Sequence, residues 1–83
     1  MNKVWDDILN DLRQSVRHEE VEIWFGDAQF VEAQGEEFIV EVPNKYYVEW
    51  IEENYQLQLD QSASKHMEHP CRVKCIGGEE PTA

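Results

Sequence analysis

The chain has 83 residues, 41% of them hydrophobic, with three Trp, three Tyr and three Phe, which suits one small globular domain. Its formal net charge is −11, from 18 acidic and seven basic residues, so it lacks the broad cationic face that avid binding to a phosphate backbone draws upon. No apolar run approaches the ~20 residues of a membrane span and the N-terminus has no signal-peptide core, so the expected location is cytoplasmic, with no membrane partner.

Residues 2–16 read as an amphipathic helix. Trp5, Ile8, Leu9, Leu12 and Val16 recur at spacings of three and four, Asn2 is the expected cap, and Asp6 and Asp7 suit the positive end of the helix dipole. A second helix is predicted over His18–Phe25. Val21, Trp24 and Phe25 point inward, Glu19, Glu20 and Glu22 point outward, and Gly26 and Asp27 end it. Residues 30–33 and 37–42 then form a hairpin around Gln34-Gly35-Glu36, with Phe38, Val40 and Val42 on one face. Ile39 breaks the alternation, which predicts partial cover on both faces.

Pro43 disfavours helix at the residue before it, and Asn44 is a good N-cap, so a third helix starts there and is predicted to reach Ser62. Tyr47, Val48, Ile51, Tyr55 and Leu59 mark its buried side, with Trp50 beside them, and Trp24 and Trp50 are expected in the core. Tyr46 falls off that stripe, so its ring is expected in solvent. Residues 61–70 read as a polar connector and residues 71–76 as a last strand. The domain is therefore placed at residues 1–76, with 77–83 as a flexible tail or the start of a linker.

Three strands cannot bury both faces, so the expected fold is α+β with two layers: a three-stranded sheet with helices packed on it, in the order α-α-β-β-α-β. Chemistry-bearing clusters are weak. His66, His69, Cys71 and Cys75 match no common zinc spacing, and on a strand Cys71 and Cys75 lie about 13 Å apart at ~3.3 Å per residue. No metal, cofactor or disulfide is expected. The acidic clusters lie on helix exteriors where nothing shifts their pKa values, so no enzymatic activity is expected either.

Three features coincide: a Trp opening the first helix (V-W-D-D-I-L), a Trp near the end of the second (E-V-E-I-W-F), and P-N-K-Y-Y-V-E-W-I-E-E-N-Y opening the third. Together they resemble the amino-terminal domain (domain I) of DnaA, the bacterial chromosomal replication initiator. The resemblance implies a KH-like fold without the G-x-x-G loop, and this chain has no such loop between helices. It further implies weak self-association, docking of the replicative helicase, and binding of regulators of replication initiation. By position in the motif, Trp5 takes the self-association role. Glu20 and Tyr46 take helicase contact, with Glu19, Asn44 and Lys45 completing the expected partner-binding surface. The stretch between Trp24 and Pro43 is slightly longer than the family's common pattern, which leaves the register of the first strand open. Two alternatives accompany this reading: a KH-like module binding single-stranded nucleic acid, expected to be weak or absent given the charge, and a stand-alone regulator mimicking the initiator domain.

Overall fold

The computed structural model describes residues 3–78. Helix α1 spans Lys3–Ser15 and buries Trp5, Ile8 and Leu12, the three- and four-residue spacing that makes one helix face. The cap expected at Asn2 lies outside the described residues. After an extended Arg17, α2 covers His18–Phe25 and buries Val21 and Phe25. Gly26 follows it in the right-handed conformation (φ −60°, ψ −33°), so α2 ends without a left-handed glycine cap.

The hairpin pairs β1 (Gln29–Gln34) antiparallel with β2 (Glu37–Val42). Gly35 sits at φ +56°, the first of two turn residues, where a side chain would be strained. The register slips between Phe30 and Glu32, leaving Val31 as the extra residue of a bulge. Such a bulge is where a strand takes up added length, and it resolves the open register. On β2, Phe38, Val40 and Val42 are buried as the alternation requires, while Ile39 on the opposite face is half-buried. Complete burial of Phe38 contributes roughly 1.5–3 kcal/mol.

Asn44 caps α3 (Lys45–Asn54) as expected, its side-chain oxygen accepting from the amides of Tyr46 (2.9 Å) and Tyr47 (3.3 Å). The single long helix does not form. The chain breaks at Tyr55 (φ −128°, ψ −1°), and α4 runs over Gln56–Met67, so most of the predicted polar connector is helical. Its polar residues are not solvated filler. Ser62 Oγ donates to Asp11 Oδ2 at 2.6 Å, and Gln56 Nε2 donates to the Val73 carbonyl at 2.7 Å. The left-handed residue that ends α4 is Glu68, at φ 64°.

Strand β3 (Arg72–Gly77) lies parallel to β2, giving the sheet order β1-β2-β3. Phe38 pairs with Val73 and Val40 with Cys75, so the inward residues form continuous rows beneath the helices. Glu37, Arg72 and Lys74 stand exposed on the other face. The architecture is the two-layer α+β arrangement, with the third helix of the expected order divided in two. Gly78 N–H donates to the Val42 carbonyl at 2.7 Å, carrying the ordered sheet past Ile76, and the rest of the expected tail lies outside the described residues.

Candidate interaction surface

Helices α2 and α3 meet through rings. Trp24 stacks on Trp50 with centroids 5.1 Å apart at 17°, and meets Tyr47 edge-on at 5.1 Å. Pairs of this kind are worth about 0.5–1.5 kcal/mol beyond the area they bury. Below them, the Tyr55 hydroxyl donates to Glu20 Oε1 at 3.0 Å, and its ring lies 5.6 Å from Phe25. Burial, with the Glu20 carboxylate second, pushes the Tyr55 hydroxyl above its ordinary pKa. The corner is thus held by one buried phenol and one aromatic stack.

Trp50 departs from the expected core placement, while Trp24 packs against the core without full burial. Trp50 is 42% exposed and Trp24 is half-buried. On α3 only Ile51 is fully withdrawn, and Trp50 lies about 100° around the helix from it, at the rim of the core. Trp24 covers one face of that indole and solvent meets the rest. Tyr46, four residues before Trp50 and hence on the same side of α3, is 68% exposed, as expected. Ile23 on α2 adds another exposed apolar side chain, at 59%.

The other predicted residues divide. Lys45 is exposed, its ammonium 5.5 Å from the centre of the Tyr46 ring, while Asn44 is occupied in capping. Glu19 is exposed and pairs with Arg17 at 3.2 Å. Glu20 does not project freely outward: it is half-buried against Tyr55, so part of its role is structural. Trp5, to which the resemblance gives the self-association role, is 6% exposed and sits in the core. Its ring reaches Phe25 (6.1 Å) and Phe38 (6.2 Å), because the first turn of α1 lies across the sheet. Trp50 was the functional candidate the pattern hid. Its i, i+4 relation to Tyr46 was the signal that could have found it.

His66 and His69 are engaged elsewhere. His66 Nε2 lies 2.9 Å from Asp11 Oδ2, and His69 Nδ1 lies 2.9 Å from the Pro70 carbonyl. Cys71 and Cys75 are free and buried, and burial pushes the Cys75 thiol up to about 12. Among the described residues no group of three or more His, Cys, Asp or Glu is placed to hold a metal ion, and no helix is long and apolar enough to cross a membrane.

The family profile for the DnaA N-terminal domain matches residues 2–65. The chain belongs to that family. It is 33% identical over 55 residues to the chromosomal replication initiator protein DnaA of Thermodesulfovibrio yellowstonii, covering 66% of this chain and 13% of that protein. The DnaA of Flavobacterium psychrophilum is 30% identical over 71 residues, covering 81% of this chain and 15% of that protein. The chain therefore spans under a sixth of the length of these relatives. In fold it is similar to a chain from the crystal structure of a HobA–DnaA (domain I–II) complex of Helicobacter pylori. The TM-score is 0.75 at 19% identity, covering 92% of this chain and 99% of that one. As a member of the DnaA N-terminal family, the domain has its sequence likeness concentrated over α1 to α4, where the three tryptophans lie.

Proposed function

We propose that the domain is a protein-interaction module of the bacterial replication initiator, without catalytic chemistry of its own. Its α2–α3 corner docks the replicative helicase and regulators of initiation. The observation that carries this is the exposed aromatic surface formed by Tyr46 and the Trp24–Trp50 stack, beside the carboxylates Glu19 and Glu20. Large rings held in place by packing lose little entropy on binding and serve as interface anchors. Surrounding acids favour a basic partner, and Lys45 adds a cation at the rim. A DnaA relative was crystallised with HobA, which supports a regulator as one class of occupant. Weak self-association belongs to the same proposal, at the Trp5 end of α1. There the exposed Lys3 and Asn10 would make the contact, with the buried indole holding the turn in place. Contacts this small give affinities on the order of micromolar, strengthened when several copies act together.

The burial of Glu20 decides the choice of variants. Tyr46→Ala and Glu19→Lys change exposed side chains and leave the Tyr55–Glu20 bond intact. Each is expected to cut capture of the replicative helicase by about tenfold, with the circular dichroism spectrum unchanged. Full capture by both variants removes this corner from the account. For self-association, sedimentation at rising concentration should show a growing dimer fraction, and a lone monomer boundary throughout would refute it.

A further inference from the structure

The two edges of the sheet are treated differently. Along β3, side chains of α4 occupy the backbone groups that face away from β2. Val73 N–H donates to Asp60 Oδ1 (2.8 Å) and Gln56 Nε2 donates to Val73 O (2.7 Å). Cys71 N–H donates to Ser64 Oγ (2.9 Å), which donates in turn to Cys71 O (3.0 Å). Along β1 nothing comparable appears among the described residues, and of its six residues only Phe30 is even half-buried. With a two-residue turn, Gln34 and Glu37 form the hydrogen-bonded pair that closes the hairpin. Ala33, opposite Phe38, then directs its N–H and C=O to the free edge.

Beside that edge the helical layer stops short. A groove of about 590 Å³ opens between α1, α2 and β1, floored by Trp5, Leu9, Val21, Phe25 and Phe30. Asp6 and Glu22 stand on its rim, together with Arg13, whose Nε is buried without a hydrogen-bond partner. Helix α2 serves two surfaces: Glu20 and Trp24 turn toward α3, whereas Val21, Glu22 and Phe25 turn toward the groove.

We propose that the free edge of β1 and this groove dock an extended segment of a partner protein in which basic and apolar residues alternate. An added strand satisfies the edge backbone, and the period of two sends every second side chain toward the groove while its neighbours stay in solvent. The charge selects the occupant. A second copy brings another −11, whereas the basic side chains of a cationic strand, turned to the open face of the sheet, meet the exposed Glu32 beside the edge. The bulge at Val31 bends this edge, so backbone pairing is confined to Glu32–Gln34 and an apolar side chain of the partner enters the groove beside Phe30. This surface is distinct from the α2–α3 corner, and its occupancy does not depend on the helicase reading.

The test titrates the isotope-labelled 83-residue chain with a synthetic heptapeptide alternating Lys and Val, against a control with Glu in place of Lys. Amide shifts confined to residues 28–34 and the groove-lining residues, absent with the Glu peptide, are the expected result. Ala33→Pro removes an edge donor without touching the ladder to β2 and should weaken the Lys–Val peptide by about tenfold. Should that variant fail to fold, Glu32→Lys on the open face of β1 supplies the same reading through charge. Shifts spread over the whole acidic surface, shifts centred on Tyr46 and Trp50, or unchanged affinity in the folded variants would overturn the proposal.

Discussion

Replacing Asp11 with Ala should remove the principal polar tie between α1 and α4. One carboxylate oxygen, Oδ2, lies 2.6 Å from Ser62 Oγ, 2.9 Å from His66 Nε2 and 3.2 Å from Lys65 Nζ. The Ser62 bond matters most, because Ser62 is only 7% exposed. A hydrogen bond to a charged group contributes about 1.5–3 kcal/mol, and stranding a buried hydroxyl falls in the same range. Lys65 is 64% exposed, so its pair adds at most about 0.5 kcal/mol. The expected loss is therefore about 2–3 kcal/mol, a fall in Tm of roughly 8–24 °C for a domain of this size. Urea unfolding followed by circular dichroism at neutral pH measures it. The pH dependence gives a second reading. The Ser62 hydrogen bond, aided by His66 and Lys65 against an opposing effect of burial, holds the Asp11 carboxyl below its ordinary value. A depressed carboxylate stabilises the fold above the unfolded pKa of ~3.9, and that stabilisation disappears as the pH falls through the lower folded value. The gap between parent and Asp11→Ala should accordingly narrow as the pH falls below ~4. A loss under about 0.5 kcal/mol at neutral pH, or a gap that stays constant into acid, refutes the reasoning.

Two further outcomes follow from the packing. Trp5→Ala should cost about 3–5 kcal/mol, a large share of the total stability of a domain this small, so its thermal transition falls steeply or disappears. An unchanged transition would mean the indole is not in the core. Gly35→Ala should cost about 1 kcal/mol through its φ of +56° alone, since no atom lies within 4 Å of an added Cβ, and Gly35→Asn should cost less. Chemical denaturation of the two variants in parallel checks that order.

Much of the fold was legible because residue type and position agreed. Trp5, Ile8 and Leu12 could only form one helix face, Phe38, Val40 and Val42 one strand face, and Pro43-Asn44 one helix start. The errors lie where polar residues carry tertiary structure. Ser62, Ser64 and His66 look like a solvated connector, yet Ser62 and His66 reach Asp11 on α1, far off in sequence, and Ser64 holds Cys71 at the start of the last strand. The break at Tyr55 has no glycine or proline to announce it. At the break, the Tyr55 phenol is tied to Glu20 on another helix. At the interaction surface, Tyr46 followed from helical geometry. The exposure of Trp50 did not, because it depends on Trp24, a ring from another helix that covers one face of the indole.

The pairing of α4 with the outer side of β3 also bears on how the domain opens. Backbone amides on an outermost strand usually exchange with solvent through small local fluctuations. Here those of Cys71 and Val73 are anchored to Ser64 and Asp60 on a helix, so freeing them requires α4 to leave the sheet. Strand and helix are thereby joined in one cooperative unit. Amide exchange should accordingly be slower at β3 than at β1.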